Sequence, residues 1–344
     1  MSFSGSRQNG KLKITKGFGV VYPYGNEIRA YLESPFGSNV SDFYCNMQNQ
    51  AKGITLAWEN DEKNVKFVTL EYGEKSCEAN KIVKLALDKN AKSYDLYNLL
   101  KDTEYEWQVS VGLENGEVLT AGAEFKTTEL GPRFLNISQV YNTRDAGGWL
   151  TDDGKKTKCG LLYRGGELKF SLPKEADLVF QKLGIVVEID LRGSVEENGY
   201  PTKSQISNAR AVFVITDGYA SAFSEKFTAN FRKVFSLMAN SQNYPMYVHC
   251  TGGADRTGTI IFLINALLGV SEDLLVKDYE LTSFSIYGER SSVRGTTYGD
   301  MFRDFLFKLK SYEGENLSKK TENYMLSIGV TPQEISNIRS LFLD

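Results

Sequence analysis

The hydrophobic period changes partway along this 344-residue chain, and that change limits the folds open to it. Ile54, Leu56 and Trp58 alternate with Thr55, Ala57 and Glu59. Val68, Leu70 and Tyr72 keep the period of two, as do Val83, Leu85 and Leu87. Tyr105, Trp107, Val109 and Val111 then face one way, while Glu104, Glu106, Gln108 and Ser110 face the other. Polar turn runs separate these strands, and Asn115-Gly116 predicts a hairpin. Short alternating strands spread over roughly 90 residues predict an all-β sandwich.

Past the Gly131-Pro132 pair, which punctuates a linker, the texture differs. Ile185–Leu191 and Ala211–Ile215 are near-continuous apolar runs, as expected of parallel strands buried on both faces. Helices are predicted over Glu175–Leu183, Phe223–Ala239, Ser271–Ser283 and Gly299–Lys310. Thr331, Pro332 and Glu334 read as a cap, a first-turn proline and a capping-box partner. The expected organisation is therefore an N-terminal extension over 1–41, partly disordered or carrying extra strands, a β-sandwich over 42–130, and an α/β domain over 131–344. The last should hold a mainly parallel central sheet flanked by helices. Lys11–Lys16 and Glu27–Leu32 alternate briefly and are the candidate extra strands, and the first ten residues are expected to be disordered.

The chemistry concentrates at Met246–Gly258. A strand ending at His249 runs into a small-residue loop, then into a helix that starts near Arg256 and is apolar all round to about Leu268. Gly252 and Gly253 let Thr251, Gly252, Gly253, Ala254, Asp255 and Arg256 curl so that successive N–H groups face one concavity. Such a nest at a helix N-terminus binds an anion, and an arginine at its mouth grips two oxygens at once. A free thiol has a pKa of about 8.5, and the same field would lower that of Cys250 and make it a nucleophile.

His249-Cys250-x5-Arg256-Thr257 resembles the signature of the cysteine-dependent protein tyrosine phosphatases. With Asp255 before and Gly258 after, it is most similar to a bacterial branch of tyrosine, dual-specificity and lipid phosphatases. Asn142-x-Arg144-Asp145-x-Gly147-Gly148, Tyr163-Arg164-x-Gly166-x-Leu168 and Asp190-Leu191-Arg192 resemble further segments of that branch, and the likeness runs from about 132 to 344. In the first domain, Trp58, the segment Leu100–Trp107 and Phe125-Lys126-Thr127-Thr128 resemble a fibronectin type III, or more broadly immunoglobulin-like, domain. Asp102 stands where that family usually has proline, and Tyr105 would be its corner tyrosine.

The phosphatase likeness implies hydrolysis of a phosphomonoester through a phosphocysteine, on a phosphotyrosine protein with possible dual specificity or on another phosphomonoester. Cys250 would attack phosphorus, Arg256 would hold the oxygens, and Thr257 would donate its hydroxyl to the sulfur as it leaves. His249 would orient the loop. The leaving group needs a proton from a carboxylic acid. Asp255 within the loop, Asp217 at 33 residues before Cys250, and Asp190 at a strand end are the candidates. Asp145 is expected to tie Arg144 to the Gly147-Gly148 turn. Many members of the branch carry lysine where this chain has Ala254, and its loss turns the expectation away from polyanionic lipid head groups. Arg290 and Arg294, in the loop Ser285–Tyr298, could restore positive charge at the pocket mouth.

A net charge of -3 with scattered basic residues argues against a nucleic-acid partner. The most apolar stretch, Thr257–Val270, is too short to span a membrane. Four cysteines and one histidine, without a Cys-x-x-Cys pair, leave no grouped zinc ligands, although a Cys45–Cys77 disulfide is conceivable. No metal or organic cofactor is expected. The N-terminus lacks an apolar signal core, which leaves the cytoplasm or, after removal of a leader, a secreted or periplasmic site. Three other functions stay open: a phosphoinositide or inositol phosphate phosphatase, a non-catalytic phosphoresidue-binding protein, and an adhesion or scaffold protein whose β-sandwich binds a protein or glycan.

Overall fold

The computed structural model describes residues 11–44, 50–75, 82–169, 171–193 and 202–343. The chain forms two compact units, one of residues 1–25 and 51–133, the other of residues 26–50 and 134–344. Cys45, Cys77 and the first ten residues lie outside the described residues.

In the first unit, β1 (Leu12–Lys16), β3 (Ile54–Asn60) and β6 (Ser93–Leu96) make an antiparallel sheet in the order β1-β3-β6. A second sheet has the order β2-β8-β7-β4-β5, with β2 (Gly19–Val21), β4 (Val65–Glu74), β5 (Val83–Leu87), β7 (Glu104–Leu113) and β8 (Val118–Thr127). It is antiparallel except where β2 runs parallel to β8. The alternating residues of both sheets meet in one apolar cluster that includes Leu56, Trp58, Leu70, Trp107 and Val109. Asn115 and Gly116 close the β7–β8 hairpin, with Gly116 at φ +87°. Tyr105 is buried, and its hydroxyl accepts a hydrogen bond from Leu100 N at 2.9 Å.

The second unit begins with a correction. Glu27–Leu32, expected as a strand, lies within a helix, α1 (Asn26–Glu33). Ile28 and Leu32 are four apart and fit either period over so short a run, but Tyr31 completes an i, i+3, i+4 face that is buried. This helix groups with residues 134–344, so the segment expected as one extension over 1–41 is divided between the units. Tyr31 donates its phenol to the Glu280 carboxylate, Gln50 Nε2 donates to Leu281 O at 2.6 Å, and Lys277 Nζ reaches Leu32 O and Ser34 O at 3.3 and 2.9 Å.

The central sheet of this unit has the order β12-β11-β13-β10-β9. β10 (Leu162–Gly165), β11 (Val187–Asp190), β12 (Arg210–Phe213) and β13 (Met246–His249) are parallel, and the short β9 (Arg144–Asp145) runs antiparallel at the edge. β13, buried along its length, is central, and its register aligns His249 with both Gly165 and Asp190. Three strands therefore end together where ligands bind in open α/β sheets.

The helices are α2 (Lys174–Lys182), α3 (Glu225–Met238), α4 (Asp255–Leu267), α5 (Glu272–Glu280), α6 (Thr297–Lys310), α7 (Leu317–Ser327) and α8 (Pro332–Phe342). From Thr257 to Leu267, α4 is buried on every side, as its uniform hydrophobicity predicts. α8 opens with the expected capping box of Thr331 and Glu334, with Pro332 in its first turn. No helix among the described residues is long and apolar enough to cross a membrane.

Candidate active site

Cys250 follows β13 directly and Asp255 opens α4, so the intervening loop spans the end of the central strand and the start of a buried helix. Its backbone is turned by specific bonds. Thr251 O accepts from Glu167 N at 3.0 Å, Gly252 O from Asn142 Nδ2 at 3.0 Å, and Gly253 O from Arg164 Nη2 at 2.7 Å. Three successive carbonyls are thus engaged from the β9 and β10 side. This leaves the loop amides to supply the concavity an anion needs. Gly253 has φ +63°, and a Cβ there would fall 2.2 Å from Gly165 O, so only glycine fits.

The anchors are themselves braced. Arg164 Nη1 and Arg144 Nε hold the two oxygens of Asp278 on α5, at 2.5 and 2.8 Å, and all three residues are buried. Arg144 Nη1 also donates to Asn142 Oδ1 at 2.7 Å, which fixes the amide that reaches Gly252. Burial alone would raise the Asp278 pKa, but the charges of Arg144 and Arg164 outweigh it and hold the carboxyl below 3.8. Arg164 is pushed down to about 10, by burial first and then by the Arg144 charge.

A cavity of about 480 Å³ opens over the loop, lined by Cys250, Thr251, Gly252, Asp255 and Arg256 from below. Asp217, Tyr219, Tyr298, Met301 and Asp304 are among its walls. Cys250 is 5% exposed at its floor. Arg256 is half-buried and enters none of the ion pairs found among the described residues.

The three acid candidates are separated by their partners. Asp190 is buried and chelated by Arg192, which donates from N, Nε and Nη2. Asp255 takes a two-pronged bond from Arg290, 2.7 Å to Oδ1 and 3.0 Å to Oδ2, and a phenol proton from Tyr219. Asp217 is exposed, lines the cavity, and accepts from its own neighbour Gly218 N at 2.8 Å.

Several expectations need adjusting. Thr257 Oγ1 is buried without a hydrogen-bond partner, so the bond expected to the Cys250 sulfur is not made here. Asp145 ties Gly147 N and Gly160 N together, while Arg144 turns to Asp278. Arg290 is buried against Asp255, and Arg294 pairs with Glu289 at 3.1 Å, so neither adds free positive charge to the pocket mouth. Both sit on a loop whose own carboxylates and neighbours capture them.

His249 is buried, with Nε2 at 2.9 Å from Glu188 Oε1 and Nδ1 at 3.3 Å from Cys250 O. Burial would lower its pKa, but the Glu188 bond and the Asp190 and Glu188 charges raise it above 6.5. Glu188, Asp190 and His249 bring one ligand atom each within 4.8 Å of one another. Glu188 is already bonded to His249 and Ser204, and Asp190 to Arg192. The trio therefore braces the loop from beneath, and its donor atoms are taken.

Glu167, Asp278 and Tyr219 were given no role from sequence, while Arg164 was read only as part of a family-like segment and Arg290 only as a cation of the loop at the pocket mouth. Asp278 alone had a usable signal, as an acid between the buried Leu275 and Tyr279 on one helix.

The tyrosine phosphatase family model matches residues 135–344. A protein of Cupriavidus necator named as a tyrosine-protein phosphatase is 27% identical over 198 residues, 51% of this chain and 72% of that protein. Among solved structures, the core catalytic domain of the PP-IP phosphatase SIW14 from S. cerevisiae, in complex with citrate, aligns at 19% identity. That match has a TM-score of 0.31 and covers 49% of this chain and 93% of the other. A 1.5-MDa bacterial ice-binding adhesin aligns at 10% identity with a TM-score of 0.19, covering 46% of this chain and 45% of the other. Neither structural likeness adds weight to the family match, which spans more than half of the chain. The braced loop over a buried thiol therefore sits in a phosphatase, and the chain belongs to the tyrosine phosphatase family.

Proposed function

We propose that this protein hydrolyses phosphotyrosine in proteins through a phosphocysteine at Cys250. The observation that carries this is the Cys250–Arg256 loop itself. Three of its carbonyls are bonded away from the cavity, while the thiol and an arginine that enters no ion pair among the described residues line a common space. The Cys250 thiolate attacks phosphorus and the bond from phosphorus to the leaving oxygen breaks. Arg256 and the loop amides hold the three remaining oxygens through the transition state. The carboxylic acid of Asp217 gives its proton to the departing phenoxide. Water then attacks phosphorus, the S–P bond breaks, and Asp217 takes the water proton back. Asp217 suits this role better than Asp255 because, among the described residues, no cation lies on its carboxyl, which is exposed and lines the cavity.

The walls support an aryl monophosphate. Tyr298 and Met301 offer an aromatic and a thioether surface, and Asp217, Asp255 and Asp304 are carboxylates. An inositol polyphosphate would require several cations where, among the described residues, the cavity lining has Arg256 alone. The N-terminal unit is read as a fibronectin type III-like sandwich, supported by its two sheets over one core and by the Tyr105 hydroxyl that reaches back to Leu100 N.

The test is a substrate panel with three proteins. Cys250→Ser should lose turnover of phosphotyrosine peptides by about 10³-fold or more. Asp217→Asn should lose about 10²-fold on phosphotyrosine but far less on an aryl phosphate whose phenol leaves without a proton. A Cys250→Ser protein as active as wild type would sink the mechanism. Equal losses for Asp217→Asn on both leaving groups would remove Asp217 as the acid.

A further inference from the structure

Asp255 is the first residue of α4 and lies in the cavity wall beside Arg256 and Cys250. A carboxylate at that point opposes an incoming phosphate dianion, since like charges repel most where water is scarce. The Arg290 guanidinium lies on it, with Nε to Oδ1 at 2.7 Å and Nη2 to Oδ2 at 3.0 Å. Arg290 Nη1 donates to Tyr287 O and Glu289 O at 3.2 and 3.0 Å. Four of the five N–H groups of an arginine are thus committed, so this one has no fork left for a substrate.

Its position is over-determined. The guanidinium carbon sits 3.6 Å from the centre of the Tyr298 ring. Arg290 N donates to Ser283 Oγ at 2.8 Å, and Ser283 Oγ lies 3.0 Å from Arg290 O. The next residue but one, Ser292, donates its N–H to Glu280, the carboxylate that Tyr31 of α1 also reaches. Burial would lower the Arg290 pKa, but the Asp255 bond and charge, with Tyr219 and Tyr279, raise it, so the guanidinium stays charged.

We propose that Arg290 is a positioning residue that neutralises Asp255 in the wall of the anion-accepting loop, which leaves Arg256 as the uncompensated charge that draws in the phosphoryl group. The proposal rests on the phosphatase function and extends it to a residue outside the loop. It predicts that the cost of losing Arg290 is the exposed charge of Asp255. Removing that charge should therefore restore what the loss of Arg290 took away.

The test is a double-mutant cycle on the full chain, read by the affinity for inorganic phosphate as a competitive inhibitor and by melting temperature. Arg290→Met should bind phosphate about tenfold more weakly. Asp255→Asn, which leaves Arg290 uncompensated, should bind it several-fold more tightly. The double variant should return to near the wild-type affinity, and the differences should shrink in high salt. A double variant as weak as Arg290→Met, with native-like melting, overturns the proposal and makes Arg290 a structural anchor only. Where Arg290→Met does not fold, Asp255→Asn decides alone, and unchanged or weaker phosphate binding overturns the proposal. A wild type that binds no phosphate overturns the phosphatase-site reading as well, which separates the two failures.

Discussion

His249 is held beneath the loop by a bond that depends on its charge. Its pKa is raised above 6.5 in the fold, with burial opposing and Glu188 and Asp190 prevailing. A raised value means that the folded state keeps the proton more firmly than the unfolded state. The stabilisation is complete below pH 6.5 and is lost as pH rises through the folded value. Thermal unfolding measured from pH 6 to pH 9 should show stability falling above 6.5. Glu188→Gln should be less stable at pH 6 and should flatten that slope. A slope that Glu188→Gln leaves unchanged would show that this pair does not set it. Asp278 runs the other way. Its folded pKa is held below 3.8, so its contribution is present above that value and lost as pH falls through the folded one.

At the scale of elements, the loop is shaped by its neighbours in the sheet. The end of β10 supplies Gly165 for close approach and Arg164 for the Gly253 carbonyl, and Asn142 just before β9 supplies the Gly252 contact. Asn142→Ala should cost about 1 kcal/mol of stability. It should cost more in turnover, about 10- to 100-fold in kcat/KM, because a slack loop misplaces its amides. Arg164→Met removes one of two guanidinium partners from a buried carboxylate, and a loss of about 3–5 kcal/mol in chemical denaturation is expected. A loss as small for Arg164→Met as for a surface pair would show that Arg144 alone carries Asp278. The motifs around Asn142, Arg144 and Arg164 were legible as a set, but their sequence did not say that they act together on the loop carbonyls. That depends on β9, β10 and β13 lying side by side, which no local pattern encodes.

For the whole molecule, the grouping of residues 26–50 with residues 134–344 has a consequence for trimming. A fragment of 134–344 covers the whole family match, yet it lacks Tyr31 and Gln50. Glu280, 1% exposed, then loses the phenol that meets its carboxylate. Two lost buried bonds of this kind amount to about 2–4 kcal/mol, so calorimetry should place the fragment roughly 5–10 °C below the same transition in the full chain. An unchanged transition would mean that residues 26–50 are dispensable to the catalytic unit.

The sequence by itself determined the period-two strands of the first unit, the buried strands and all-round apolar α4 of the second, and the Cys250–Arg256 loop between them. Each is local: a period, a run of apolar residues, or a glycine pair can be read within a few turns of chain. Tertiary structure alone decided the features that depend on long-range pairing. Glu27–Leu32 is too short for its period to choose between strand and helix, and packing against α5 chose helix. Arg290 reads as a loop cation until Asp255, 35 residues away, is found beneath it. Sequence does not choose between Asp217 and Asp255 as the acid, because one stands at a spacing that resembles an acid loop and the other lies inside the Cys250–Arg256 loop. Their difference is the guanidinium on one and solvent on the other, and that is a property of the folded cavity.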